Sequence, residues 1–283
     1  MSVLIKSFAD FCFAEHRSIN LSRFKLIQAI MKKVLITGAS GGIGLETARQ
    51  LAQQNYQVTL VARNRDRLEK ALNSLSGNGH TILVADLNDK EDLQKLAAHL
   101  SAEKYDVLIN NAGTGTYGKF TEIALEDQLA TMQLNMQALV TLSYSFLQNA
   151  TSGDALVNIG SLLAHSSLPG GSVYAATKSF VANFSESLWY EFKHKGVYVT
   201  GFNPGAANSD FHAHAGAKTS DFPKFVVSSV EDVARELTGA LQKRQKGRVI
   251  QGWKNRFMLF GFKLLNRNAA VSIMGGISPG MAD

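Results

Sequence analysis

The sequence contains a single cysteine, Cys12, and only four prolines among 283 residues. One cysteine cannot form a disulfide within the chain, and this composition is typical of a reducing compartment, so we expect a cytoplasmic protein. The chain also lacks any apolar run of the roughly 18 residues that a membrane-spanning helix requires. Its net charge of +6 comes without the basic patch and interleaved aromatics of nucleic-acid binders, so we expect no nucleic-acid partner.

Two end segments differ from the rest of the chain. Residues 1–30 are rich in Phe, Ile and Leu, but charges beginning with Lys6 interrupt any signal-peptide core. Because Met31 precedes a natural first strand, we expect residues 1–30 to be a dispensable extension; the alternative is an amphipathic helix over 19–31 that binds a membrane surface or a partner. Residues 253–283 are basic and apolar. They are consistent with a tail helix on the same domain, a contact with a neighbouring subunit, or a contact with a membrane surface.

Between these segments, short apolar runs alternate with helical patterns, which is typical of repeated βαβ units and a parallel sheet. Helical patterns separate the predicted strands, which lie at residues 34–37, 58–62, 81–85, 107–109, 155–159, 197–202 and 248–250. Residues 206–228 show little periodicity and are predicted to form a mobile segment. Since no internal repeat or low-complexity linker interrupts the pattern, we expect one domain over residues 31–252.

A glycine-rich turn follows the first predicted strand, where Gly38, Gly42 and Gly44 lead into a helix. Backbone N–H groups at a helix N-terminus hold phosphate, so the turn predicts a pyrophosphate site, although tight strand-to-helix turns require glycine in any case. The alternative is the nucleophile elbow of an α/β hydrolase, with Ser40 as the nucleophile. That fold normally builds several strands before its elbow, whereas this turn follows the first strand.

Tyr174 and Lys178 are four residues apart at the start of a long predicted helix, so both lie on one face of it. A free tyrosine has a pKa of about 10, too high for efficient acid–base catalysis near neutral pH. At about 5 Å, with an effective dielectric constant of about 20, an ammonium favours the phenolate by about 3 kcal/mol, equal to about two pKa units. Taken alone, such a pair more often belongs to an amphipathic surface, so its interpretation depends on the rest of the chain.

The residue at the tip of the second predicted strand distinguishes the two nicotinamide dinucleotides. NAD sites place an acidic residue there to bind the ribose, whereas this chain has Arg63. An arginine at this position accommodates the additional 2′-phosphate, so the sequence favours NADP over NAD. The alternative is that Arg63 and Arg65 are solvated charges at the entry to a helix.

A series of motifs in the same order resembles the short-chain dehydrogenase/reductases over about residues 32–250. The motifs are Thr37-Gly38-(x)3-Gly42-Ile43-Gly44, Asp86, Asn110-Asn111-Ala112-Gly113, Asn135, Gly160-Ser161, Tyr174-(x)3-Lys178 and Pro204-Gly205. The resemblance implies an α/β fold with a doubly wound parallel sheet (Rossmann), three layers α/β/α in a single domain, and a cofactor across the carboxyl ends of the strands. Within the family, the chain is most similar to a bacterial-type branch of general NADP-dependent reductases.

The resemblance also implies a role for each catalytic residue. Tyr174 is the proton donor to a carbonyl or the acceptor from an alcohol, and Ser161 hydrogen-bonds the substrate oxygen. Lys178 lowers the tyrosine pKa and holds the nicotinamide ribose, while Asn135 bends its helix to hold a proton-relaying water. These roles agree with the chemistry of hydride transfer, which develops alkoxide charge and needs a positioned donor and a proton source.

Further residues are implied as contacts of the NADP cofactor. Asp86 contacts the adenine, with the backbone of Leu87 beside it; the alternative for Asp86 is a helix N-cap. The other implied contacts are Gly38, Ser40, Gly42, Ile43, Gly44, Arg63, Asn111, Ala112, Gly113, Tyr174, Lys178, Pro204, Gly205 and Ser209. Ser209 stands where the family usually has a threonine after Pro-Gly.

We therefore expect an NADP(H)-dependent oxidoreductase that acts on a small-molecule carbonyl or alcohol and assembles as a dimer or tetramer. The competing class is a non-catalytic NADP(H)-binding regulatory or scaffold protein of the same fold, which would have little use for all four catalytic residues. His212 and His214, near Asp210, lack a further cluster of ligands. We therefore expect no metal site and interpret this segment as a loop over the substrate pocket.

Overall fold

A seven-stranded parallel sheet forms the centre of the protein in a computed structural model, which describes residues 31–209, 211, 215–217, 221 and 227–281. The strands in chain order are β1 (Lys33–Thr37), β2 (Gln57–Ala62), β3 (Thr81–Val84), β4 (Val107–Asn110), β5 (Ala155–Ile159), β6 (Tyr198–Asn203), the short pair β7 (Ala206–Ala207) and β8 (Val227–Ser228), and β9 (Arg248–Ile250). The order across the sheet is β3-β2-β1-β4-β5-β6-β9. The order therefore reverses between β1 and β4, and doubly wound sheets bind their ligands at such a switch point.

Helices connect the strands and continue the chain beyond them. They are α1 (Gly42–Gln53), α2 (Arg65–Asn73), α3 (Lys90–Ala102), α4 (Leu125–Met132), α5 (Leu139–Gln148), α6 (Ser172–Phe192), α7 (Val230–Lys243), α8 (Trp253–Leu264) and α9 (Arg267–Gly276). Four of them have a polar N-cap whose side chain accepts the backbone N–H three residues further on: Asn64 before α2, Asp89 before α3, Ser229 before α7 and Asn266 before α9. Such caps fix where a helix begins because they satisfy an otherwise unpaired donor.

The alternating direction of side chains along each strand divides the apolar core into two clusters, one on each face of the sheet. Val34 and Ile36 of β1 belong to a cluster with α1, α2 and α7, whereas Leu35 between them belongs to a cluster with α3 and α5. Because successive side chains of a strand point to opposite faces, one strand supplies both clusters. Helices therefore cover both faces of the sheet. The predicted doubly wound, three-layer α/β fold is confirmed.

The helix predicted over about residues 125–148 is interrupted in the structure. A π-helical segment, Gln133–Ala138, separates α4 from α5. Such a segment inserts an extra residue into a turn without breaking the apolar periodicity that predicted one continuous helix. The interruption carries Asn135, which is 1% exposed.

The C-terminal residues fold onto the same compact unit, which spans Lys33–Asp283. Met274 of α9 packs against Leu168 and Ala175. Gly280 approaches Gly170 so closely that neither position has room for a Cβ atom. The described tail therefore covers its own domain with one face. Among the described residues, no helix combines the length and the apolarity needed to cross a bilayer.

Several predictions concern residues outside the described ranges. They include the dispensability of residues 1–30, the mobility of most of residues 206–228, and the absence of a metal at Asp210, His212 and His214. Within the described part of the chain, no group of three or more His, Cys, Asp or Glu side chains is arranged to hold a metal ion. The three expectations stay predictions.

The core position of Phe202 can be tested by mutation. Phe202 of β6 is fully buried, and Phe202→Ala leaves a cavity, so we expect the free energy of unfolding to fall by about 3–5 kcal/mol. The matched control is Phe120→Ala, because that ring is 58% exposed and its loss is expected to cost less than about 1 kcal/mol. Denaturant titration of both variants measures the difference, and equal losses contradict the placement of Phe202 in the core.

Candidate active site

A cleft of about 670 Å³ runs along the carboxyl ends of the strands. Five of its lining residues come from the turns directly after strands: Gly38, Arg63, Asn111, Gly160 and Pro204. The other predicted site residues that line the cleft are Ser40, Gly42, Ile43, Asp86, Leu87, Ala112, Gly113, Ser161, Tyr174, Lys178, Gly205 and Ser209. Two predicted residues, Gly44 and Asn135, do not line it and pack behind its wall instead.

The glycine turn after β1 requires glycine for two different reasons. Gly38 and Gly42 have φ angles of +65° and +55°, which residues with side chains rarely adopt. At Gly44 space is decisive, because a Cβ atom there would lie 2.5 Å from Asn111 Nδ2. Asn111 Nδ2 donates to the carbonyl oxygens of Thr37 and Gly38, at 3.0 and 3.1 Å. Asn111 thus holds the turn from behind, in addition to lining the cleft as predicted.

The N-terminus of α1 opens towards the cleft. Its N-cap is Gly41, which makes no side-chain cap, and the first turn contains no acidic residue. The first backbone N–H groups of a helix have no intrahelical partners and carry partial positive charge. The turn therefore has the donors and the charge that suit a phosphate group.

Two arginines line the end of the cleft beside β2. Arg63 is predicted from the sequence, whereas Arg67 is not. The Arg67 guanidinium lies against the glycine turn, with Nη2 3.1 Å from the position that a Cβ atom of Gly41 would take. Arg65 pairs with Glu69 at 3.9 Å and does not line the cleft. The first turn of α2 contains both Arg65 and Arg67, so the sequence signals basic residues there but does not show which of them faces the cleft.

Asp86 follows β3 and faces the cleft. Its Oδ1 atom accepts the backbone N–H of Asn88 at 3.0 Å, and its own N–H donates to Asp92 Oδ2 at 3.1 Å. The N-cap of α3 is Asp89, which accepts the N–H of Asp92 at 2.9 Å. The alternative that Asp86 is the helix cap is therefore wrong.

Tyr174, Lys178 and Ser161 meet at the other end of the cleft. Tyr174 and Lys178 are each 5% exposed, and Lys178 Nζ lies 5.9 Å from the centroid of the tyrosine ring. Lys178 Nζ donates to the carbonyl oxygen of Ile159, the last residue of β5, at 3.0 Å. The Ser161 side chain hydrogen-bonds Tyr174, and its Oγ atom also accepts the N–H of Leu163 at 3.2 Å. The strand end and the helix thus bring the three predicted residues together.

Burial controls the protonation of this site. It raises the pKa of Tyr174 from 10.0 to about 12, and the hydrogen bond with Ser161 offsets only part of that change. Burial also lowers the pKa of Lys178 from 10.5 to about 8. Both shifts arise because surroundings of low polarity disfavour the charged form of each group. In the protein without a cofactor, burial thus raises the pKa of Tyr174, and the expected lowering of that pKa by Lys178 stays a prediction.

Asn135 in the π-helical segment is engaged by other protein groups. Its Oδ1 atom accepts the N–H of Thr114 at 2.9 Å, and Nδ2 donates to the Thr114 carbonyl at 2.8 Å. Nδ2 also donates to Thr177 Oγ1 at 3.0 Å, and Thr177 donates to the Tyr174 carbonyl at 2.8 Å. Asn135 thus links a wall of the cleft to the helix that carries Tyr174 and Lys178.

The apolar end of the cleft includes residues that sequence reasoning missed. The rings of Tyr117 and Phe211 lie 6.1 and 5.7 Å from that of Tyr174, measured between centroids. Met258 of α8 and Met274 of α9 reach the same cleft from the C-terminal helices. Phe211 belongs to the segment that the sequence places over the substrate pocket, whereas Tyr117, Met258 and Met274 lie outside that segment. No motif marks an apolar residue that reaches a pocket from a distant helix.

The chain resembles known proteins over most of its length. The family model for short chain dehydrogenases matches residues 32–220. A serine 3-dehydrogenase of Agrobacterium fabrum is 33% identical over 183 residues, which make up 63% of this chain and 73% of that protein. An uncharacterized oxidoreductase of Mycobacterium tuberculosis is 32% identical over 231 residues, or 78% of this chain and 88% of that protein.

Two solved structures share the fold. A short-chain dehydrogenase from Sphingobium yanoikuyae in complex with NADPH has a TM-score of 0.74 and 29% identity, with 89% of this chain and 99% of that chain covered. A short chain dehydrogenase from Burkholderia cenocepacia in complex with NADP has a TM-score of 0.70 and 26% identity, with 79% and 98% covered. The chain therefore belongs to the short-chain dehydrogenase family and is an oxidoreductase.

Proposed function

We propose that this protein transfers a hydride between NADP(H) and a small or medium-sized, largely apolar carbonyl or alcohol substrate. The observation that carries the proposal is that one cleft has a phosphate-binding turn and two arginines at one end, and Tyr174, Ser161 and Lys178 at the other. This arrangement matches a nicotinamide dinucleotide, whose phosphates are separated from its reactive ring. The NADPH-bound and NADP-bound relatives support this choice of cofactor.

The residues that would hold the cofactor follow from their chemistry. The N-terminus of α1 would bind the pyrophosphate, while Arg63 and Arg67 would bind the 2′-phosphate, since guanidinium groups match phosphate geometry. Asp86 and the backbone of Leu87 would contact the adenine. When bound, the nicotinamide supplies or accepts the hydride. Because Arg63 stands where NAD sites place an acidic residue, we infer a preference for NADP.

Tyr174 is the proton donor in the reductive direction. Because burial raises its pKa to about 12, the phenol keeps its proton at neutral pH and donates a hydrogen bond to a carbonyl oxygen. Ser161 adds a second donor beside it. As a hydride reaches the carbonyl carbon, negative charge develops on the oxygen, and positioned donors stabilise that charge. In the opposite direction the phenol must first lose its proton, so alcohol oxidation is expected to require a higher pH than carbonyl reduction.

Lys178 stabilises the phenolate that remains after proton transfer. Its pKa of about 8 leaves it mostly protonated at pH 7. A positive charge 5.9 Å from the ring centroid attracts the phenolate by about 3 kcal/mol at an effective dielectric constant of about 20. The Ile159 carbonyl holds the ammonium in place. Asn135 acts as a positioning residue, because its hydrogen bonds fix Thr114 against the helix that carries Tyr174.

The proposed substrate class follows from the apolar end of the cleft. The rings of Tyr117 and Phe211 lie beside Tyr174, and Met274 lines the same cleft. These apolar walls favour a substrate that carries an apolar group next to its carbonyl. A dimer or tetramer remains a prediction of the family resemblance. Exposed Leu125 and Leu129 of α4 offer an apolar surface for such a contact.

Tyr174→Phe tests the catalytic role. We expect the rate of NADPH oxidation with a panel of ketones and aldehydes to fall by about 10²–10⁴-fold, the range that general acid catalysis contributes. NADPH binding should remain within about threefold, because the ring and its packing are retained. Tyr144→Phe, at a 65% exposed side chain, is the matched control. Tight NADPH binding by the wild-type protein without turnover of any substrate would favour the non-catalytic binding protein.

Arg63→Ala and Arg67→Ala test the binding of the 2′-phosphate. Loss of one charge-assisted hydrogen-bond donor is expected to raise the Kd for NADPH by about 10–100-fold and leave the Kd for NADH unchanged. Arg65→Ala is the control, since Arg65 faces Glu69 rather than the cleft. Isothermal titration with both dinucleotides measures the effect. An unchanged NADPH affinity in both cleft variants rules out the proposed phosphate site.

Lys178→Met tests the burial of the ammonium. The lowered pKa of Lys178 destabilises the fold at every pH below about 8, and this effect disappears as the pH rises from about 8 to 10.5. The change in pKa from 10.5 to about 8 corresponds to about 3 kcal/mol, and the loss of the hydrogen bond to Ile159 offsets about 1 kcal/mol of that gain. We therefore expect the variant to be inactive, but more stable than wild type by about 2 kcal/mol at pH 7.

The pH dependence provides the control for this variant. The stability difference between Lys178→Met and wild type should shrink as the pH rises from about 8 to 10, because the wild-type lysine then loses its proton. Denaturant titrations at pH values across this range measure it. A variant that is less stable than wild type at pH 7 would show that the ammonium has net favourable interactions in the fold.

A further inference from the structure

We propose that α8 binds the protein to the surface of an anionic lipid bilayer through an exposed aromatic stripe. The stripe consists of Trp253, Phe257, Phe260 and Leu264, which are 68, 73, 60 and 74% exposed. Their spacing of four, three and four residues places them within an arc of about 60° on one side of the helix. Large apolar side chains in a contiguous exposed row mark an interaction surface rather than ordinary surface composition.

The opposite side of α8 already packs on the domain. Asn255 and Leu259 are buried, and Phe262 packs against the cluster of Leu168, Ala175 and Met274. The Asn255 amide donates to the Gln251 carbonyl at 2.8 Å, which ties the start of the helix to the end of β9. The helix is therefore held in place by one face and presents the aromatic stripe outward. No rearrangement is needed for the stripe to make contact.

Basic residues lie on both sides of the stripe. By helical geometry, Lys254 lies about 90° to one side of its centre and Lys263 about 90° to the other. Both are exposed, and neither forms a salt bridge with any described residue. Long lysine side chains in these positions can reach lipid phosphates while the aromatic rings enter the boundary of the acyl region.

The sequence around α8 contains basic residues but no acidic ones. Residues 237–282 contain no Asp or Glu, but carry eight basic residues: Lys243, Arg244, Lys246, Arg248, Lys254, Arg256, Lys263 and Arg267. Two of them pair with acidic residues from elsewhere in the fold, Arg248 with Glu186 and Arg256 with Glu236, so the positive charge at α8 itself comes from Lys254 and Lys263. An anionic surface complements such a segment, since each lysine or arginine near it contributes favourably.

The same charge argues against a second copy of the chain as the occupant. A two-fold symmetric contact through the stripe would bring Lys254 and Lys263 near the identical lysines of the other copy. Residues 237–282 contain no acidic residue to pair with them, and the preceding Glu236 already accepts the N–H of Gly252 and lies 4.0 Å from Arg256. The helix is also too short to cross a bilayer, because its 12 residues extend over only about 18 Å. Interfacial binding is the remaining mode for an aromatic and basic helix.

Sedimentation with lipid vesicles tests the proposal on the full chain. We expect the protein to sediment with vesicles of phosphatidylglycerol and phosphatidylcholine, but not with phosphatidylcholine alone, and to be released by about 0.5 M salt. Phe257→Ser/Phe260→Ser should weaken binding by at least about tenfold. Lys254→Gln/Lys263→Gln should weaken it by about 25-fold.

The controls change equally exposed residues elsewhere. Phe120→Ser/Tyr144→Ser and Lys70→Gln/Lys90→Gln should sediment as the wild type does. All variants should keep the circular dichroism and the NADPH affinity of the wild type, because none of the changed residues lines the cleft. Retained cofactor binding separates failure of the membrane proposal from failure of the proposed function.

Three results would overturn the proposal. One is no sedimentation of the wild type with the anionic vesicles. Another is equal sedimentation of wild type and Phe257→Ser/Phe260→Ser. The third is a wild-type dimer, measured by light scattering, that does not bind vesicles and that Phe257→Ser/Phe260→Ser converts to a monomer; the stripe would then be an interface between two copies.

Discussion

The burial of one ammonium group, that of Lys178, is the constraint on which the site depends. A charged group inside the protein is unfavourable unless hydrogen bonds hold it, and the Ile159 carbonyl provides one at 3.0 Å. That carbonyl is available because β5 ends there and the chain turns into the cleft. The helix that carries Lys178 also carries Tyr174, so holding the lysine fixes the position of the tyrosine. The same burial keeps the phenol neutral and the ammonium close to its titration.

Neighbouring elements support this arrangement from two sides. Asn135 hydrogen-bonds Thr114 on the wall of the cleft and Thr177 on the helix, and the π-helical segment places its amide between them. At the other end, Asn111 holds the glycine turn against β4, where a Cβ atom at Gly44 would have no room. The proposed phosphate-binding end and the proposed proton-donating end are thus fixed to the same sheet edge, at a separation set by the strands.

The sequence predicts features whose causes are local. Glycine spacing after a strand, alternating apolar runs, and a tyrosine four residues before a lysine all depend on neighbours along the chain. The fold and the motif residues that line the cleft were predictable for that reason. The direction of the Tyr174 pKa was not, because it follows from the burial of the ring, which tertiary packing determines. Arg67, Met258 and Met274 were missed because tertiary packing brings them to the cleft.

The central claim is that one cleft joins an NADP site to the Tyr174 proton donor. A crystal structure of the protein with NADPH tests it most directly. We expect the nicotinamide ring beside Tyr174 and Lys178, the pyrophosphate at the N-terminus of α1, and the 2′-phosphate between Arg63 and Arg67. A cofactor whose nicotinamide lies away from Tyr174, or whose 2′-phosphate contacts neither arginine, would contradict the account.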